Sequence, residues 1–228
     1  PEGQKYRPVD ADSLLPYREA ADGQILQEGI CEVGAMASFM AAGSAYAVHG
    51  LPMIPFYIFY SMFGFQRVGD MIWSCGDMMC KGFLLGGTAG RTTLNGEGLQ
   101  HQDGHSHILA STVPNLRSYD PAFGFEIAAL VREGMHQMYE LQEDVFYYLT
   151  LYNENYPMPS LVEIAEQTQV DEGEVLQGVI DGGYCLYRGS DRTECSVHIL
   201  ASGSIMQQAL LAREAPTNLG VGVCIRGR

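Results

Sequence analysis

This sequence is short of positive charge, of tryptophan and of long apolar runs. It carries 13 Lys and Arg against 27 Asp and Glu, a formal net charge of −14. Such a balance repels phosphate backbones and anionic lipid surfaces, so neither nucleic acid nor membrane is expected as a partner. The longest nearly unbroken apolar stretch, Met53 to Phe65, falls short of the roughly 20 residues that a membrane-spanning helix needs. No charged segment precedes an apolar core of the signal-peptide kind. The six cysteines, Cys31, Cys75, Cys80, Cys185, Cys195 and Cys224, include no C-x-x-C pair. They are too sparse for a disulfide scaffold and read as reduced, mostly buried small hydrophobes. A cytoplasmic location is the expectation that follows.

What is present suffices for a packed core: 46% of residues are apolar and 18% charged over 228 residues. That length fits one large domain or one and a half, and the composition excludes a disordered chain. Residues 1–23 are polar and proline-punctuated and read as a loop or strap. Glu32 to Val48 is free of proline, crowded with small residues and stopped by Gly50, which predicts a buried helix open to close backbone approach. Phe56 to Tyr60 predicts a buried strand, Ser61 to Cys80 a helix, Gly82 to Gly87 a strand and Leu116 to Tyr119 another. Asp120-Pro121 reads as a helix start, with Ile127, Val131, Met135 and Met138 following at helical spacing. Asp144 to Tyr152 is the strongest strand signal. Gly173 to Ile180 and Ser204 to Ala215 predict helices, and Tyr184 to Arg188 and His198 to Ala201 strands. Strands alternating with helices imply an α/β fold with a mostly parallel sheet flanked by helices.

The densest polar cluster is Asn95 to His107, NGEGLQHQDGHSH. It supports three readings: a zinc or iron site on His101, Asp103, His105 and His107; an active-site loop whose histidines move protons; or a polar surface loop. A P-loop is absent, Gly96-x-Gly98 meets His101 where a dinucleotide fingerprint needs glycine, and the segment from Gly104 lacks the last glycine of a nucleophile elbow. Glu32, at the mouth of an apolar helix, is either a first-turn carboxylate complementing the helix dipole or a carboxylate kept in a dry site for chemistry.

Four runs, ILQEGICEVGAMASFMAAG, PFYIFYSMFGFQRVGD, GRTTLNGEGLQHQDGHSH and YNENYPMP, closely resemble the homodimeric decarboxylating component of bacterial pyruvate dehydrogenase complexes. The resemblance extends from about Gly3 through Ser204 and covers the middle of that family's longer chain. It implies the pyrimidine-binding domain of a thiamine-diphosphate enzyme at 24–195, the start of a C-terminal α/β domain at 196–228, and a cofactor shared across a homodimer. Glu32 matches the carboxylate that hydrogen-bonds the aminopyrimidine N1′, Phe63 the aromatic stacked on that ring, Tyr60 a residue beside its 4′-amino group, and His101 a substrate-facing histidine. Glu97, His105 and His107 are weaker site-lining candidates. Mg²⁺ and the diphosphate are held in this family through a Gly-Asp-Gly…Asn motif. Gly69-Asp70-Met71 and Gly76-Asp77-Met78 do not fit it, so the metal half is expected in a domain other than this one. The implied reaction is decarboxylation of pyruvate and transfer of the two-carbon unit to the lipoyl group of a dihydrolipoamide acetyltransferase. The alternatives are a related enzyme acting on 2-oxobutanoate, a metal-dependent hydrolase using the His101–His107 loop, and a non-catalytic binding module.

Overall fold

A computed structural model describes residues 20–90, 98–189, 196–213 and 222–227. Residues 20–31 belong to a unit separate from Glu32–Arg228 and run as exposed irregular backbone. The expectations for residues 1–19, Glu97 and Cys195 lie outside the described residues.

The first half of the larger unit is a four-stranded sheet. Helix α1 (Glu32–Gly43) opens on an acid that complements its dipole and is followed by the short α2 (Ala45–His49), which Gly50 closes in the left-handed region. The predicted single helix is therefore broken at Ser44, whose hydroxyl bonds back to the Met40 carbonyl at 2.8 Å. Close backbone approach is used at Gly43, where a Cβ would lie 2.8 Å from the Lys81 carbonyl oxygen. The helix is not buried all round: Met36, Phe39 and Gly43 face inward, while Val33, Ala37 and Ala41 are exposed.

Strand β1 (Phe56–Tyr60) runs directly into helix α3 (Ser61–Asp77). Strands β2 (Phe83–Gly87), β3 (Leu116–Tyr119) and β4 (Phe146–Thr150) complete the sheet in the order β1-β2-β4-β3, every pair parallel. Position in that order decides burial. β4 is buried at all five residues, the pattern of a parallel strand covered on both faces. β1, at the edge, alternates and leaves Phe56, Ile58 and Tyr60 outward, so it is half-buried rather than buried. Helix α5 (Gly124–Met135) starts later than Asp120-Pro121 predicts, with Phe123 at its N-cap, because the Asp120 carboxylate is taken by other partners. It continues into a π-helical turn at His136–Glu140. The buried Lys81 ammonium donates to the Met138 carbonyl there and to Gln142 Oε1, both at 2.5 Å. Within the predicted irregular stretch 91–114 lie a 3-10 turn, Leu99–His101, and a short helix α4 (Ser106–Ala110).

The second half is a three-stranded sheet, β5 (Tyr184–Arg188), β6 (Ser196–Ala201) and β7 (Gly222–Gly227), ordered β5-β7-β6. β6 runs parallel and β5 antiparallel to β7. Helix α6 (Leu161–Thr168) begins with a complete capping box, Ser160 and Glu163, a signal the sequence reading passed over. Helices α7 (Glu172–Asp181) and α8 (Met206–Ala212) follow their predicted places. One apolar core lies under the parallel sheet around Phe83, Ile72 and Tyr148. A second, around Phe123, Ile164 and Ile225, joins the two halves. Cys75 and Cys80 are buried as expected, Cys31 is exposed, and Cys185 and Cys224 are half-buried free thiols.

Candidate active site

In an open parallel sheet, ligands bind beyond the carboxyl ends of the strands. Here those ends carry Tyr60 on β1, Gly87 on β2, Thr150 on β4 and, just past β3, Asp120. Because β1 passes into α3 without a loop, Tyr60, Phe63 and Arg67 rise in succession from one strand end, the last two one helical turn apart. The Phe63 ring centre lies 5.9 Å from that of Tyr60. The His101 ring sits 5.6 Å from Tyr60 and meets Phe63 edge-on at 5.5 Å. The Arg67 guanidinium lies over the Phe63 ring, 4.4 Å from its centre, and donates to the Glu32 carboxylate. Tyr57, from the inward face of β1, donates to the main-chain oxygen of Glu32 at 3.3 Å and so seats the first turn of α1.

Glu32, Tyr60, Phe63 and His101 are thereby brought into one chain of contacts through Arg67. Glu32 is not in a dry site: its side chain is 19% exposed and held by an ion pair. Sequence reasoning passed over Arg67, although its place four residues after Phe63 on a predicted helix was available.

The histidines of the loop go to separate partners. His105 Nε2 and Gln66 Nε2 are 2.9 Å apart, and His107 Nε2 is 3.1 Å from Thr150 Oγ1. Asp103, buried, accepts from the amides of His105 and Ser106 and from the Ser106 hydroxyl. Burial opposes its charge, but these donors outweigh it and hold its carboxyl below the ordinary value. Asp103 is thus the anchor of α4 rather than a metal ligand. Among the described residues no three His, Cys, Asp or Glu side chains converge on a metal position. An open recess of about 380 Å³, lined by Met62, Leu99, Gln102 and His105, lies beside this loop.

At the β3 and β4 ends a second polar cluster centres on Asp120. Its Oδ1 accepts from Thr150 Oγ1 and from the Tyr152 hydroxyl, each at 2.5 Å, and its Oδ2 from Ser202 Oγ at 2.6 Å. His107, against the Tyr148 ring at 5.3 Å, has its pKa lowered by burial, which the charges of Asp120 and Asp103 only partly offset.

Comparison with known proteins places the chain as a whole. The pyruvate dehydrogenase E1 component of Corynebacterium glutamicum is 56% identical over 214 residues, 93% of this chain and 22% of that protein. That of Pseudomonas aeruginosa is 52% identical over 221 residues, 96% of this chain and 24% of that protein. The chain therefore spans about a quarter of the length of these curated relatives. Among solved structures, transketolase from Leishmania mexicana superposes with a TM-score of 0.64 at 17% identity, over 86% of this chain and 26% of that one. At that identity the likeness concerns the fold, an α/β arrangement with a parallel sheet flanked by helices. Residues 1–159 match the family model of the pyruvate dehydrogenase E1 component middle domain, and the chain belongs to that family.

Proposed function

We propose that this chain supplies the pyrimidine-facing part, residues 24–195, of a thiamine-diphosphate site in a homodimeric, cytoplasmic pyruvate dehydrogenase, with 196–228 beginning a further α/β domain. The observation that carries the reading is the contact of Arg67 with both Glu32 and the face of Phe63. A guanidinium is a planar array of N–H donors. It meets here one carboxylate and one aromatic plane, the two partners a flat aminopyrimidine needs, so the residues fit that ring. Glu32, Tyr60 and Phe63 would hold thiamine diphosphate by its aminopyrimidine, and the cofactor would supply a nucleophilic carbon and an electron sink for the loss of CO2.

The chain's own residues have distinct tasks. Glu32 holds a proton against a ring nitrogen, and Arg67 keeps its carboxylate oriented. Phe63 provides the stacking plane and Tyr60 flanks it. His101, packed against both rings, faces the reacting end and orients the carboxylate of a 2-oxo acid. Mg²⁺ is assigned in this reading to a domain other than this one, because neither Gly69-Asp70-Met71 nor Gly76-Asp77-Met78 fits the diphosphate motif of the family. The acceptor of the two-carbon unit in this reading is the lipoyl group of a dihydrolipoamide acetyltransferase, the partner that the resemblance to the decarboxylating component implies.

The test uses the full-length protein that carries this segment. General acid–base help is typically worth about 10²–10⁴-fold, so Glu32→Ala is expected to lower pyruvate decarboxylation by that factor at saturating cofactor with an unchanged melting temperature. A variant that keeps more than about half the turnover would sink the assignment. His101→Ala, assayed beside it, is expected to lower kcat/KM for the 2-oxo acid while cofactor affinity holds. Lost cofactor affinity with normal chemistry would contradict the role given to His101.

A further inference from the structure

The second sheet holds two thiols in contact, which the function proposed above does not use. The Cys185 and Cys224 sulfurs lie 3.9 Å apart, and both are free. An irregularity in β5 brings them together. β5 and β7 pair Cys185 with Arg226 and Arg188 with Cys224, and the register shifts between Cys185 and Tyr187. Along a regular strand Cys185 and Arg188, three residues apart, would turn to opposite faces. The extra residue of the bulge undoes that alternation, so both share one face with Cys224 and Arg226. This is the accessible face: the two cysteines are half-buried and the two arginines exposed, whereas Leu186, Val223 and Ile225 belong to the core. β5 has no further strand beside it among the described residues. Drawing the sulfurs from 3.9 Å to a bond of about 2.05 Å therefore disturbs no second ladder. Burial and the neighbouring Cys224 push the Cys185 thiol up, and Arg188 and Arg226 pull it back only in part. Cys75 and Cys80, by contrast, are wholly buried, out of reach of a dissolved oxidant.

We propose that Cys185 and Cys224 are a reversible oxidation site that takes a hydroperoxide as its oxidant and closes into a disulfide locking β5 to β7. With hydrogen peroxide, the Cys224 thiolate attacks one peroxide oxygen. The O–O bond breaks, leaving a sulfenic acid on Cys224 and releasing hydroxide. The Cys185 thiol, which keeps its proton until this step, attacks the Cys224 sulfur; the S–S bond forms and the sulfenic oxygen leaves as water. The two sulfurs together lose two electrons and the peroxide gains them. A small dithiol returns both thiols by exchange. The site does not depend on the function proposed above.

The experiment treats the full-length protein that carries this segment with a small excess of hydrogen peroxide and reads the linked peptides by mass spectrometry. A Cys185–Cys224 link that disappears with dithiothreitol is expected, with Cys75 and Cys80 recovered as thiols. Hydrogen exchange at the amides of β5 and β7 is expected to slow at least about tenfold in the oxidised protein. Cys185→Ser, treated identically, is expected to show neither the link nor the slowing, and to yield a Cys224 sulfenic acid captured by dimedone. Because that variant and the wild type share every methionine, methionine oxidation cannot mimic the difference. Thiols that stay reduced, a bond from either sulfur to Cys31 or Cys195 instead, equal slowing in the serine variant, or no adduct at its Cys224 overturns the proposal.

Discussion

In β4 every residue from Phe146 to Thr150 is buried, and in β6 none from Ser196 to Ala201 is. Both strands have a parallel neighbour and both are rich in apolar residues. The difference is position: β4 has strands on either side, whereas β6 is the edge of a three-stranded sheet. The parallel sheet is thus the rigid body from whose strand ends the candidate site rises. The second sheet is attached to it through the shared apolar core around Phe123, Ile164 and Ile225 and through polar contacts beside it. Ser202 donates to Asp120, the Gly203 amide to the Asp120 carbonyl at 3.0 Å, the Tyr119 hydroxyl to the Ile180 carbonyl at 2.9 Å, and Tyr184 to Glu126. One half contributes shape, the other the hydroxyl groups that orient charged side chains of the first.

The sharpest way to break this contrast is to truncate one leucine in each sheet. Leu149 in β4 is 0% exposed and Leu200 in β6 66%. Leu149→Ala is expected to cost about 2–5 kcal/mol through lost burial and a residual cavity. Leu200→Ala is expected to stay within about 0.5 kcal/mol. Urea unfolding of the chain measures both, and equal costs would mean that β6 is covered in solution.

A somewhat smaller effect concerns the joint itself. Glu126 is buried, and burial pushes its carboxyl up to about 7 even though Tyr184 and the amides of Ala122 and Phe123 pull it down. The folded state therefore holds this proton more tightly than the unfolded state does. The stability this adds is present in full below the ordinary carboxylate value and is lost as pH rises through about 7. The expected loss between about pH 5 and about pH 8 is on the order of 3 kcal/mol. Glu126→Gln, which cannot ionise, is expected to flatten that slope; a slope that survives the substitution would place the titrating group elsewhere.

Much of the scaffold was legible because apolar runs record burial. The run DVFYYLTLY read as the strongest strand, and the stop at Gly50 and the helix predicted at Gly173 to Ile180, observed at Glu172–Asp181, follow from propensity and capping. The burial of β1 was overestimated because composition does not say which strand stands at the edge. Asp120-Pro121 misled for a chemical reason. The features that make aspartate a good N-cap also make it a good acceptor for Thr150, Tyr152 and Ser202, and the nearest of these is 30 residues away in sequence. Tyr60 and Phe63 were singled out by resemblance alone, since spacing left them as ordinary core, whereas Glu32 and His101 stood out from the residues with functional and plain readings both open and took their roles from the resemblance. Their meeting depends on a strand–helix junction and a distant loop, neither of which periodicity encodes. Arg67 was legible, as the basic residue one turn beyond an aromatic, and was missed.

Under the proposed function, the guanidinium over Phe63 makes the arrival of a flat ring on that face an exchange rather than an addition. Arg67 has to swing aside, giving up its hold on the aromatic surface while its other end stays tethered near Glu32. At a half-exposed position such a cation–aromatic contact is worth about 0.5–1 kcal/mol, so the occupant already in place is a weak competitor. It keeps water off an apolar face until something better fitting displaces it, and it lowers the observed affinity of that newcomer only by the modest strength of the contact it surrenders.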